Sequence, residues 1–355
     1  MIAATYTQNG AFQVEDVPVP TIAEDELLLE VHASSICGTD LRIIRNGHRK
    51  LQPNQKIILG HEFAGVVVEV GRRVAGFHVG QRVGVAPNMG CGQCGLCVRG
   101  LPNMCPDYTA FGITLDGAHT EYVRIPNAAI TQGSVCVLPD QLPFVQAALL
   151  EPLSCVVNGN RACRIVLGDI VVIFGAGPIG LMHLVLAQLS GAAQCLVVDP
   201  DEERLAQAAA LGATDTIHGT PEAVRERVLA ASHGRGADVA ITACSVAAVQ
   251  EQSLALLAPF GRVCFFGGLP KDGSLIRVDS NLVHYRQLTL TGTTGGAPRD
   301  FRTALELLAA GRVPIERVIS HRFPTGRMAE AFDVALHASA MKVVICRNDR
   351  APNDE

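Results

Sequence analysis

From about residue 165 the sequence alternates short β-branched runs with helix-forming segments, an order that few architectures accommodate. "DIVVIF" is followed by "PIGLMHLVLAQLSG", "QCLVVD" by "EERLAQAAALG" and "DVAIT" by "VAAVQEQSLALLAP", with "RVCFFG" and "LTLTG" after them. Helical crossovers keep successive strands parallel and cover both sheet faces, so the pattern predicts an α/β fold with a doubly wound parallel sheet. Its first turn, "VVIFGAGPIG", sets Gly175, Gly177 and Gly180 in G-x-G-x-x-G spacing between a strand and a helix. The first glycine permits a tight turn, the second lets backbone N–H groups approach a diphosphate, and the third lets the helix pack on the strand. The diphosphate is expected at the helix N-terminus, beside Pro178 and Ile179, where unpaired N–H groups favour an anion.

The next strand ends in Asp199, at the distance where a carboxylate binds the adenosine ribose hydroxyls. Asp201 follows, so a 2′-phosphate would meet negative charge, and NAD is expected over NADP. Arg204 either lies along the adenine or caps a helix turn; the sequence leaves both open.

Before residue 150 the texture differs. "KIILGHEFAGVVVEVG" and "GQRVGVAP" are short apolar runs broken by Gly and Pro, a mostly β pattern. Two helices, "RDFRTALELLAAG" and "RMAEAFDVALHAS", and a strand, "KVVIC", are expected near the end, before a polar tail "RNDRAPNDE" expected to fray. A chain of 355 residues exceeds one core, so two domains are expected. A formal charge of -5 offers no broad basic field, and nucleic acid is not an expected partner. The longest apolar stretch, "GLMHLVLAQLSGAA", is too short for a membrane span and is broken by His183, Gln188 and Ser190. With no export signal at its start, a cytoplasmic protein is expected, and its twelve cysteines then read as thiols or metal ligands.

"CGQCGLCVRGLPNMC" concentrates Cys91, Cys94, Cys97 and Cys105 at spacings that close a tetrahedron round one zinc. Four thiolates leave no open coordination position, so this site is expected to be structural. A reactive zinc needs three protein ligands and an opening. "SSICGTD" supplies Cys37, "ILGHEFAG" supplies His61 and Glu62, and "ALLEPLSC" supplies Glu151, each of which alone also reads as an ordinary buried or solvated side chain.

Together, "CGTD", "GHE", the four-cysteine stretch, "EP" at 151 and 152 and "GAGPIG" resemble the zinc-containing medium-chain dehydrogenase family along the whole chain. "CGTD" with "GHE" and "EPL" is most similar to its polyol branch of sorbitol, iditol, galactitol-phosphate and threonine dehydrogenases. The resemblance implies a GroES-like β catalytic domain from residues 1–154 and 290–355, with a structural-zinc lobe at 88–108. A Rossmann NAD-binding domain over 155–289 is implied between them. It implies two zincs per chain, with Cys37, His61 and a carboxylate, Glu62 or Glu151, at the reactive one. Gly267, Gly292 and Thr293 match segments that line the nicotinamide, although a plain strand–turn role fits each equally.

The implied activity is transfer of a hydride from a secondary alcohol (a polyol, sugar alcohol, cyclitol or sugar phosphate) to NAD, by a homotetramer or homodimer. Thr39 matches the hydroxyl that passes the alcohol proton outward, or else caps a helix beginning near Asp40. Arg42 stands where the family often has a histidine completing that relay, and a permanent cation cannot relay a proton. The basic run "RIIRNGHRK" reads as a solvated face or as a site for an anionic substrate group. The rivals are a threonine-type or simple alcohol dehydrogenase of the same family and, in another class, a non-catalytic zinc-stabilised NAD sensor.

Overall fold

The computed structural model describes residues 1–337 and 340–347. The chain divides into two compact units, Met1–Ser154 together with the segment from Gly295 onward, and Cys155–Thr294. Residues 348–355 of the expected frayed tail, and Ala338 and Ser339 of the last expected helix, lie outside the described residues.

The Cys155–Thr294 unit holds one parallel sheet of six strands. Their spatial order is Asp215–Ile217, Gln194–Val198, Ile170–Phe174, Ala237–Thr242, Leu257–Phe265 and Thr289–Gly292. The first two βα steps run one way from the central strand Ile170–Phe174 and the rest run the other way, which creates a switch point at that strand's carboxyl end. Ile170, Val172, Phe174, Leu196, Ala240 and Val263 build one side of its core. Two strand assignments differ from the sequence expectation. Asp215–Ile217 is an additional edge strand, too short to show a period. The segment "VAAVQEQSLALLAP" is helical only over Ala247–Ala255; from Leu257 it is strand, kinked at Phe260 where φ is 62°.

The other unit is mostly β. Its main sheet runs in the order Val135–Val137, Arg82–Val85, Phe63–Val70, Leu27–Ser35, Lys342–Cys346 and Ile319–Pro324, with Tyr122–Ile125 also pairing with Leu27–Glu30. Leu27, Leu29, Val31, Phe63, Val67, Val83 and Phe111 fill one core. A second core of Ile36, Phe323, Met328, Phe332, Val343 and Ile345 packs the C-terminal helix Met328–His337 and strand Lys342–Cys346 beside the N-terminal strands. Strand Ile319–Pro324 was not expected; Ser320, His321 and Arg322 face solvent on this edge and hide its period.

The helix after "SSIC" spans Gly38–Asn46, with Cys37 as its N-cap and Gly47, at φ 67°, ending it. The Asp40 carboxylate at the third helical position accepts the Cys37 N–H at 2.9 Å. Thr39 therefore lies inside the first turn and is not the cap.

Candidate metal and nucleotide sites

Cys91, Cys94, Cys97 and Cys105 converge, their sulfurs all within 4.8 Å of one another. The short helix Gly95–Val98 and the turn Pro102–Met104 carry the ends of this lobe, and a Cβ at Gly90 would lie 2.3 Å from Cys97 Sγ. Cys94 Sγ is 3.6 Å from Cys97 Sγ and 3.8 Å from Cys105 Sγ. A tetrahedron with metal–sulfur bonds of about 2.3 Å has edges of about 3.8 Å, so the donor set fits zinc. The N–H groups of Gln93 and Cys94 draw the Cys91 thiol down to about 7, whereas burial pushes Cys97 up to about 12. A shared cation removes that conflict by stabilising all four thiolates.

A second group joins Cys37, His61 and Glu62, again with donor atoms within 4.8 Å. Cys37 is half-buried, while His61 and Glu62 are buried. Burial opposes a charged His61, but the Asp40 carboxylate and Cys37 outweigh it and raise the imidazole well above its usual range. Asp40 is fully buried; burial acts to raise its pKa, but His61 and His119 outweigh that and hold it far below the usual carboxylate range. Lys342, also buried, donates to both oxygens of Glu62, to Oε1 at 2.6 Å, and to Ile36 O at 3.2 Å. The Ser35 hydroxyl donates to Glu62 Oε2. Glu151 lies outside the 4.8 Å group, yet it is buried at the start of the helix Leu150–Cys163 and near enough to act on Lys342. Glu62, Cys37 and Glu151 thus all act on one ammonium, an acidic surplus that suits a divalent cation.

The glycine turn matches its expected geometry. Gly175 has φ 103°; a Cβ at Gly177 would meet no protein atom within 4 Å, and one at Gly180 would lie 1.7 Å from Gly175 O. Gly177 caps the helix Pro178–Leu189, with Pro178 and Ile179 opening it, so backbone N–H groups line a cradle open to a diphosphate. Asp199 Oδ2 accepts the Ala176 N–H at 2.6 Å and Oδ1 the Asp201 N–H at 2.9 Å. Asp201 caps the helix Glu202–Ala210, and Arg204 Nε lies 3.5 Å from its carboxylate. Gly267 approaches the Cys244 backbone so closely that a Cβ would fall 2.3 Å from its carbonyl oxygen. Gly292 ends the strand beside Phe265, and Thr293 Oγ1 is 3.8 Å from Cys264 Sγ.

Comparison with known proteins settles the family. Residues 23–138 match the alcohol dehydrogenase GroES-like domain and residues 178–310 the zinc-binding dehydrogenase domain. The L-threonine 3-dehydrogenase of Bacillus licheniformis is 34% identical over 333 residues, 93% of this chain and 94% of its own. The chain belongs to the zinc-containing medium-chain dehydrogenase family. The sorbitol dehydrogenase of Bombyx mori is 32% identical over 341 residues, 94% of each chain. A zinc-binding dehydrogenase of Sinorhizobium meliloti, solved with NADP bound, superposes with a TM-score of 0.88 at 33% identity, covering 97% of this chain and 98% of that one. This dehydrogenase is thus an oxidoreductase of GroES-like and Rossmann-like architecture using zinc and a nicotinamide cofactor. Among its described residues, no helix is long and apolar enough to cross a membrane.

Several residues at the mixed-donor site escaped the sequence reading. Lys342 opens the otherwise apolar strand "KVVIC", and that isolated lysine was the available signal. Asp40, three residues after Cys37, carried the spacing of a capping carboxylate. Ser34, Ser35 and His119 gave no local signal. In the basic run, Arg42, Arg45 and Arg49 are exposed, and Lys50 donates to Tyr108 O at 2.7 Å while lying over the Tyr108 ring. Among the described residues, no carboxylate stands within 4 Å of any of these four cations.

Proposed function

We propose that this dehydrogenase oxidises a secondary alcohol of a polyol, sugar alcohol, cyclitol or sugar phosphate to a ketone, with NAD as acceptor. The observation that carries the reading is the contrast between two donor sets. Four sulfurs make a saturated site, whereas Cys37, His61 and one carboxylate leave a position for an alcohol oxygen.

When bound, zinc supplies Lewis acidity to the alcohol oxygen and the nicotinamide supplies a hydride acceptor. Cys37 and His61 would hold the metal, with Glu62 or Glu151 as the carboxylate partner. Asp40 Oδ1, 3.5 Å from His61 Nδ1, favours a proton on that nitrogen and would leave Nε2 as the one to hold the metal. Thr39, in the first helical turn beside Cys37, accepts the alcohol proton and passes it outward; exposed Arg42 takes no part in that transfer. Residues 1–154 and the segment from Gly295 onward act as the catalytic domain and residues 155–294, five more than the sequence implied, as the NAD-binding domain. In the latter, Gly175 to Gly180 seat the diphosphate and Asp199 the ribose, with Gly267, Gly292 and Thr293 toward the nicotinamide. The Asp199–Asp201 pair disfavours a 2′-phosphate, which supports NAD although the Sinorhizobium relative was solved with NADP. Arg204, tied to Asp201, stiffens that corner. Two zincs per chain, a cytoplasmic location and a homodimer or homotetramer complete the proposal.

A second reading, a threonine-type dehydrogenase, is favoured by the 34% identity to the Bacillus enzyme. A panel of polyols, sugar phosphates, inositols, threonine and simple alcohols, assayed with NAD and with NADP, separates the two. Turnover of polyols with NAD supports the first reading; threonine as the sole substrate replaces it with the second.

A further inference from the structure

We propose that His119 is a positioning residue for His61, acting through Asp40; this rests on the reading that Cys37 and His61 hold a metal ion. Asp40 divides its two oxygens between different tasks. Oδ2 accepts the Cys37 N–H at 2.9 Å and lies 3.3 Å from His119 Nε2. Oδ1 faces His61 Nδ1 at 3.5 Å, and among the described residues neither of those two buried atoms has a closer partner.

The Asp40 carboxylate fixes one end of the proton inventory. An ionised carboxylate only accepts, so His119 donates from Nε2, and its Nδ1 shares a hydrogen bond with Ser34 Oγ at 3.0 Å, accepting the serine proton when the imidazole is neutral. Two donors thereby fix Oδ2, and Oδ1 is left aimed at His61. Without His119 the carboxylate can turn about its one remaining anchor, and His61 loses its fixed tautomer and ring angle.

His119 is itself held on every side. It is fully buried, meets the Phe332 ring edge-on at 5.2 Å, and its backbone exchanges hydrogen bonds with Leu59 and Ala4 at 2.9 and 2.8 Å. Its ring rests on Gly60, the residue before His61, where a Cβ would fall 2.7 Å from His119 Cγ. A phenylalanine would fill the same space and supply none of the hydrogen bonds. The engaged nitrogens therefore mark a polar relay from Ser34 through His119 and Asp40 to His61.

The test is zinc release to a chelator from the folded holoenzyme, with Cys37→Ser identifying the phase that belongs to the Cys37–His61 site. His119→Phe is expected to speed that phase by about 10- to 100-fold and leave the four-cysteine phase unchanged. His119→Gln, which keeps a donor, should stay nearer wild type, and Ser34→Ala should move in the same direction by a smaller factor. In an Asp40→Asn background, His119→Phe should add less than about twofold, because the two act in series. Unchanged release in folded His119→Phe, or an equal effect with and without Asp40, overturns the inference. A wild-type protein with no zinc at Cys37 and His61 overturns the metal reading instead, and is recognised by a zinc content that Cys37→Ser leaves unchanged.

Discussion

The Lys342 ammonium binds both carboxylate oxygens of Glu62, a residue 280 positions earlier in the chain. Burial alone would depress the lysine, but Glu62, Cys37 and Glu151 outweigh it and hold its pKa above the usual range. Glu62 is thereby neutralised, and a metal drawing on this carboxylate has to compete with Lys342.

Removing one partner of such a pair strands the other. Lys342→Met is expected to destabilise the metal-free protein by about 3–5 kcal/mol, because Glu62 then stays buried and uncompensated. Zinc should restore much of the loss, since the cation takes over the role of the ammonium. Denaturant unfolding with and without zinc reads both effects; equal stability of the metal-free variant and wild type would show that the pair is immaterial.

His183 makes stability depend on pH. It is fully buried in the helix Pro178–Leu189 against the edge of Phe266, with no hydrogen-bond partner on either nitrogen among the described residues. Burial lowers its pKa from 6.5 to about 3. The unfolded chain therefore binds the proton first as pH falls. The contribution is whole above 6.5 and is lost on the way down to about 3, at about 1.4 kcal/mol per pH unit. Between about pH 7 and about pH 5, wild type should lose about 2 kcal/mol more than His183→Leu in urea unfolding. Parallel losses would contradict this.

Cys94→Ser opens the saturated site. The expected result is one zinc per chain instead of two and a fall in soluble, assembled protein, while the surviving folded fraction keeps a kcat within about threefold of wild type. Metal analysis and kinetics on the gel-filtered fraction check it. A folded protein whose turnover is abolished would place chemistry at this lobe.

Of the cations Arg42, Arg45, Arg49 and Lys50, all but Arg45 also act on His48. Burial first, and then Arg42, Arg49 and Lys50, hold its imidazole below the ordinary range. A helix end and following turn of this charge should bind an anionic substrate group, so a polyol phosphate is expected to show a KM about tenfold or more below that of the free polyol, with the gap narrowing in salt. Arg42→Ala with Arg49→Ala should erase the difference. Equal KM values for the two substrates would make the run a solvated face.

What the sequence disclosed follows from how local each signal is. Gly175 to Gly180 and the four clustered cysteines were legible because their partners lie within fifteen residues. The parallel sheet was legible because each buried strand is a short apolar run flanked by helix. Strand Ile319–Pro324 was not, because an edge strand with three exposed polar residues carries no period. The extension of the Leu257 strand was hidden because "LALLAP" suits a helix end equally well. The reactive donors stood out only as a constellation, and the groups that orient them did not stand out at all. Ser34 meets His119 across 85 positions and Lys342 meets Glu62 across 280, and no window of sequence contains such pairs.

The most direct test of the account is Cys37→Ser, assayed for zinc content, NAD binding and NADH formation on whichever alcohol the wild-type enzyme oxidises. The account predicts loss of turnover by about four orders of magnitude, with NAD affinity and the four-cysteine zinc retained. Turnover within about tenfold of wild type in a protein that has lost its Cys37 thiolate would contradict it.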